Sequence, residues 1–205
     1  FADVRLPMKI NVQKRTLPDP AQWVFHLDLW QNPYAVARYY NVPLWSRQHF
    51  DIMKPLMQQL ANAGQKVITA SVMHHPWAGQ TEDPFDSMVF RMKKIDGSWV
   101  YDYTVFDRWV EFMMSLGIDR QINCYTLVPW ALKFDYYDQA TNRIRFVEAK
   151  PGEAAYEDYW FSFLKDFAGH LRQKGWFEKT TIAMDEREKS MMQKAFDLIF
   201  RADAG

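Results

Sequence analysis

Val67-Ile-Thr-Ala-Ser-Val-Met73 follows a glycine at position 64 and runs straight into His74-His75-Pro76-Trp77. The run is apolar and β-branched almost throughout, which suits a strand covered on both faces, as in a parallel sheet. Upstream, Ser46 is an N-cap candidate, and Phe50, Met53, Met57 and Leu60 recur at spacings of three and four up to Gly64. This spacing predicts an amphipathic helix over 46–63, kinked or started late by Pro55, with Gly64 just beyond its C-terminus.

The same order, helix, glycine, strand, recurs twice. Helix 104–116 ends at Gly117 before Gln121-Ile-Asn-Cys-Tyr-Thr-Leu127, and helix 155–174 ends at Gly175 before Thr180-Thr-Ile-Ala-Met184. A last helix is predicted over about 188–202. On the N-terminal side, Trp23-Val-Phe-His-Leu-Asp-Leu-Trp30 is aromatic and branched and is closed by the turn signal Asn32-Pro33, so it reads as strand one. Residues 1–20 end in Leu17-Pro18-Asp19-Pro20 and read as a linker or the tail of a preceding domain. Two insertions interrupt the pattern, residues 90–103 around Asp96-Gly97 and residues 132–147 around Thr141-Asn142; each reads as a β-hairpin.

Strands alternating with helices imply βαβ units and a parallel sheet. The expected fold is therefore α/β, of the (β/α)₈ TIM-barrel type, with β-hairpin insertions in the βα loops. Such a barrel averages about 250 residues, and four units with insertions already use all 205, so only about the first four βα units are expected. Phe1 and the terminal Ala-Asp-Ala-Gly look like cut ends of a longer chain. A dinucleotide fold has little support, since no Gly-x-Gly-x-x-Gly follows any strand.

Composition narrows the function classes. At 48% hydrophobic and 17% aromatic the chain can bury a core, and its 25 basic and 25 acidic residues cancel. No field favours nucleic acid, no apolar run reaches the roughly 18 residues of a membrane span, and the N-terminus does not read as a signal peptide. Cys124 has no partner for a disulfide, and no Cys/His spacing suggests a metal site.

Chemistry is expected at the carboxyl ends of the parallel strands. The fourth strand ends in Asp185-Glu186-Arg187-Glu188, two carboxylates of the sort that glycosidic cleavage uses. An alternative reading makes Asp185 an N-cap and Glu188 its capping-box partner, and capping does not exclude catalysis. The second strand delivers His74, His75 and Trp77; neighbouring histidines on a strand point opposite ways, so one of them is expected to face a ligand. The first strand places His26, Asp28 and Trp30 on one face, with Trp30 a candidate pocket wall and the other two either hydrogen-bonded structural groups or site groups. Tyr125 and Trp130 close the third strand. Tyr156, Tyr159, Trp160, Phe163 and Phe167 sit at helical spacing and read as core.

Taken together, His26-Leu-Asp-Leu-Trp-Gln31, Met73-His-His-Pro-Trp77, Cys124-Tyr-Thr-Leu-Val-Pro-Trp130 and Ala183-Met-Asp-Glu-Arg187 resemble segments of glycoside hydrolase family 123 over roughly residues 21–205. The resemblance implies the N-terminal half of that family's catalytic barrel, preceded by the link from a β-rich domain. It implies a retaining β-N-acetylgalactosaminidase in which the substrate's own 2-acetamido oxygen is the nucleophile. Glu186 would be the general acid/base and Asp185 the partner of the acetamide nitrogen, with Trp30, His74, His75, Trp77, Tyr125 and Trp130 around a glycan bearing a terminal N-acetylhexosamine. No metal or cofactor is implied, and a periplasmic or secreted location is. Glu188 departs from the proline expected there. The rival readings are a non-catalytic carbohydrate-binding or structural module and an ordinary retaining glycosidase with a separate nucleophile. Exposed sheet edges would favour an oligomer.

Overall fold

The computed structural model of the chain describes residues 3–184 and 186–203. Three strands, β1 (Val67–Ser71), β4 (Gln121–Tyr125) and β7 (Thr180–Ala183), form a parallel sheet in the order β1-β4-β7. Its register pairs Thr69 with Asn123 and Asn123 with Thr181, then Ser71 with Tyr125 and Tyr125 with Ala183. β1 is buried at every position, as its uninterrupted apolar character predicts. The hairpins β2 (Phe90–Lys93)/β3 (Trp99–Asp102) and β5 (Lys133–Asp138)/β6 (Arg143–Glu148) form where the sequence places them.

The expectation of four βα units of an incomplete (β/α)₈ barrel does not hold. The hairpins are not separate decorations of βα loops: β2 pairs parallel with β5, giving a second, mixed sheet of order β3-β2-β5-β6. The physical reason lies in the aromatic stripe of α4 (Ala154–Lys174). Tyr156, Tyr159, Trp160 and Phe163 are fully buried, and their ring contacts run to Phe134 of β5 and to Trp99 and Tyr101 of β3. A helix whose apolar face covers a second sheet makes that sheet part of the core.

Segment 23–30 is not a strand either. Val24 and Phe25 are exposed, and a single bridge joins Leu27 to Gln65. Beyond that bridge, side-chain amides do what a backbone ladder would do. Gln65 Oε1 accepts from Leu29 N at 2.9 Å and Gln65 Nε2 donates to Leu29 O at 3.1 Å, while Gln31 Oε1 accepts from Thr69 N at 2.8 Å. The segment thus lies along β1, held by two glutamines instead of by strand pairing.

The turn signal Asn32-Pro33 starts a helix instead. Asn32 Oδ1 accepts from Ala35 N at 3.0 Å and Pro33 occupies the first position of α1 (Pro33–Tyr40), where a missing N–H costs nothing. α2 (Arg47–Asn62) is capped by Ser46 and continues through Pro55, so of the kink or late start expected there the late start does not occur. α1 and α2 are tied by His49, whose Nε2 bonds Pro33 O at 2.9 Å while its Nδ1 accepts from Trp45 N at 3.1 Å. α3 (Thr104–Ser115) packs on β1 through Trp109, which donates to Thr69 O at 2.9 Å. α5 (Lys189–Asp203) closes the described chain. No helix among the described residues is long and apolar enough to cross a membrane.

Candidate active site

The carboxyl ends of β1, β4 and β7 open on one edge of the parallel sheet, where open α/β sheets bind ligands. Beneath that edge lies a polar layer. Asn123 Nδ2 donates to Asp28 Oδ2 at 3.1 Å, and Asn123 Oδ1 accepts from Thr181 Oγ1 at 2.5 Å and Gln121 Nε2 at 2.6 Å. Burial holds the Asp28 carboxyl above its ordinary range, opposed by the charge of His26 and the Asn123 hydrogen bond. Asp28 is therefore tied into the scaffold, whereas His26 is exposed.

One step higher, three residues expected at the site meet. Trp30, Trp77 and Tyr125 form a triangle with ring centroids 5.3, 5.0 and 5.0 Å apart. Trp77 and Tyr125 are buried, and Trp30 is 55% exposed, so the cluster presents one indole to solvent. A flat, half-exposed aromatic backed by two others is a rigid platform for an apolar ring face. The loop bearing Trp77 is fixed by Arg38, whose Nε and Nη2 reach Asp83 Oδ1 and Oδ2 at 2.6 and 3.1 Å.

Both histidines lie beside this platform. His75 sits at φ +56 and its N–H donates to Phe85 O at 2.6 Å, so the chain leaves the strand there and the alternation that would separate the two rings is broken. The imidazoles are 5.7 Å apart. A non-glycine residue in the left-handed region costs roughly 1 kcal/mol or more and is held by its surroundings.

His74 has a partner that sequence reading missed. Its Nδ1 lies 3.0 Å from Asp86 Oδ1, while Asp86 O accepts from Ser71 Oγ at 2.7 Å and from Tyr34 Oη at 2.5 Å. The Asp86 hydrogen bond, against the opposing effect of burial, pushes the His74 pKa up, and Asp135 adds to the rise. A raised histidine pKa means that the protonated pair stabilises the fold below the ordinary value and loses that contribution as pH rises through the folded value. In a long-range ¹⁵N NMR titration, His74 is expected to titrate above 6.5. Asp86→Asn should move it downward, and an unchanged midpoint in the variant would refute the pairing. Asp86 sits in an aperiodic loop, where no pattern marks a residue; only the neighbouring His-His could have prompted a search for an acid.

At the third strand end, the Arg187 guanidinium stands 4.9 Å from the Trp130 ring centroid, and its Nη2 donates to Met191 Sδ at 3.6 Å. This places Trp130 against the Glu186-Arg187 segment instead of in the aromatic triangle. Glu186 is exposed, three residues past Ala183, the last residue of β7. Asp185 lies outside the described residues. α5 begins at Lys189, and the Glu188 carbonyl accepts from Met191 N and Met192 N, so the helix starts after the stretch in which the capping box was expected. Among the described residues no group of three His, Cys, Asp or Glu could hold a metal ion. Cys124 is fully buried and its thiol is pushed up by burial, which makes it inert. An apolar groove of about 330 Å³ between α4, α5 and β7 contains none of the residues expected at the site.

Comparison with curated proteins returned no match. Among solved structures, a family 123 glycoside hydrolase from Clostridium perfringens, studied for glycolipid glycan hydrolysis, superposes with a TM-score of 0.84 at 34% sequence identity. The match covers 89% of this chain and 33% of that one, so the chain spans about a third of the length of that relative. The family model for the glycoside hydrolase 123 catalytic domain matches residues 30–205, which takes in the aromatic triangle, both histidines and the Asp-Glu pair. The chain belongs to glycoside hydrolase family 123, within its catalytic domain.

Proposed function

We propose that the protein carrying this chain hydrolyses terminal β-N-acetylgalactosaminide linkages with retention, the substrate's acetamide serving as nucleophile. The observation that supports this reading is the meeting of Trp30, Trp77 and Tyr125 at the carboxyl ends of parallel strands, on the same sheet edge as Glu186. The platform suits the apolar face of a pyranose, and His74 and His75 supply donors beside it.

In this mechanism Glu186 gives its proton to the glycosidic oxygen as the C1–O bond breaks, and the acetamide carbonyl oxygen forms the new bond to C1. Asp185 accepts from the acetamide N–H and stabilises the positive charge that spreads onto it. Water then attacks C1 of the oxazolinium as the C1–O bond to the acetamide oxygen breaks and the acetamide is restored, with the Glu186 carboxylate taking the water's proton. One residue thus acts as acid and then as base, and no protein nucleophile is needed. Adjacent carboxylates fit this division, since both act on one sugar.

Aryl 2-acetamido-2-deoxy-β-galactoside is expected to be cleaved at least about 10³-fold faster than the aryl β-galactoside with a 2-hydroxyl, because the latter lacks the nucleophile. Comparable rates would show that a separate nucleophile operates and would overturn the proposal. The matching gluco substrate measures the preference at C4.

A further inference from the structure

Residues 85–88 are tied to the end of β1 and to α1, and one carboxylate is held in place by those ties. His75 N donates to Phe85 O at 2.6 Å and Met88 N to Ser71 O at 2.8 Å. Asp86 O accepts from Ser71 Oγ at 2.7 Å and from the buried Tyr34 Oη at 2.5 Å. The backbone of Asp86 is therefore fixed by the strand on one side and by α1 on the other. Its side chain is 64% exposed, yet its Oδ1 is bonded to His74 Nδ1 at 3.0 Å.

That bond decides what the imidazole offers a ligand. A carboxylate only accepts, so Nδ1 carries a hydrogen and Nε2 is the nitrogen left over, an acceptor in the neutral ring and a donor in the protonated one. Nε2 has no hydrogen-bond partner among the described residues, and the His74 side chain is 35% exposed at the carboxyl end of β1. Trp77 Nε1, by contrast, is enclosed and reaches no ligand. The charges around His74 favour its proton. Asp86 on the loop and Asp135 on β5 both raise its hold on the proton against burial, while the His75 ring, 5.7 Å away, is the titratable neighbour that opposes it when charged.

We infer that Asp86 is a positioning residue of the sugar site: it turns and charges His74 so that Nε2–H donates to a hydroxyl of the bound terminal sugar, and sugar affinity follows the protonation of His74. The inference rests on the reading of this edge as a sugar site. A hydroxyl can also donate to neutral Nε2, so binding weakens without vanishing when the proton leaves; the charged donor gains about tenfold in affinity over the neutral acceptor. Because His74 holds its proton above the ordinary value of 6.5, affinity is highest below that pH and falls as pH rises through the raised midpoint.

The test uses the protein carrying this chain with Glu186→Gln, which takes the proposed general acid out of the titration, and methyl 2-acetamido-2-deoxy-β-galactoside as the probe. Its calorimetric Kd is expected to rise about tenfold between about pH 5 and about pH 9, with the midpoint at which His74 titrates by NMR in the same protein. Asp86→Asn keeps an acceptor for Nδ1 and removes the charge, so it should lower both midpoints together and leave affinity at about pH 5 within about twofold. Asp86→Ala removes the acceptor as well and should weaken binding about tenfold at that pH. Both variants keep the loop in place, since Ser71 and Tyr34 bond the Asp86 carbonyl and not its side chain. His74→Gln should leave Kd flat across the range. An affinity independent of pH, a midpoint that stays put when Asp86→Asn moves the His74 titration, or a dependence that survives His74→Gln overturns the inference. Constant affinity beside normal cleavage by the parent protein sinks the inference alone. The expected dependence without cleavage of 2-acetamido substrates by the parent protein sinks the proposed function alone, and a probe that binds at no pH sinks both.

Discussion

Glu186→Gln is expected to lower kcat on a poor leaving group, such as a natural disaccharide, by about 10³-fold, equivalent to about 4 kcal/mol of transition-state stabilisation. The size follows from the step that is lost. Without a proton donor the glycosidic oxygen must depart as an alkoxide, and the penalty scales with that oxygen's basicity. A dinitrophenyl leaving group needs little protonation, so its cleavage should fall by no more than about tenfold, with the slower second step then limiting. Added azide, which needs no base to attack C1, should restore turnover and yield a β-glycosyl azide. A loss of equal size for every leaving group would instead mean that Glu186 shapes the site without transferring a proton. Asp185→Asn separates the two roles: it should lower hydrolysis of 2-acetamido substrates by about 10²-fold while leaving the dependence on leaving group as in the parent protein.

Much of the architecture could be read from local rules, and the parts that could not share a cause. Helices α2 to α5 and strands β1, β4 and β7 announce themselves through periodicity and through glycines such as Gly175, which stands at φ +71 just past α4. Both hairpins follow from their turn residues. What local rules cannot give is which elements share a core. The pairing of Met92 with Tyr137 joins hairpins some 45 residues apart, and nothing in either hairpin specifies the other. Segment 23–30 misled because aromatic and branched residues score as strand wherever they stand. Gln31 and Gln65, which tether that segment, look like ordinary polar residues in sequence. Of the residues expected at the site, Trp30, Trp77 and Tyr125 converge, and His74 and His75 stand beside them. Asp86, which orients His74, comes from a loop with no pattern to read.

Trp160→Ala is expected to destabilise the fold by about 4 kcal/mol, lowering Tm by roughly 10 °C for a chain of this size. Trp160 is fully buried in α4 and touches the rings of Phe134, Tyr156, Tyr159 and Phe163, so its removal opens a cavity between the helix and the mixed sheet. It also takes one aromatic wall from Arg91, whose guanidinium lies 5.1 Å from the indole. Phe134, the contact that lies outside α4, cannot fill the space without moving its strand, which places the cost toward the upper part of the range for such truncations. Trp160→Phe divides the effect. The indole Nε1 has no hydrogen-bond partner among the described residues, so phenylalanine loses volume but also removes an unpaired buried donor, and about 1 kcal/mol of net loss is expected. Denaturant titrations of both variants would check the order, with m unchanged. If Trp160→Ala costs less than about 1.5 kcal/mol, the mixed sheet is not part of one cooperative core with α4. The consequence reaches the site, because β2 and its loop carry both Arg91 and the Asp86 that holds His74. A sheet that loosens from α4 would therefore blur the His74 titration before the parallel strands melt, and following that resonance through the transition tests whether the two sheets unfold together.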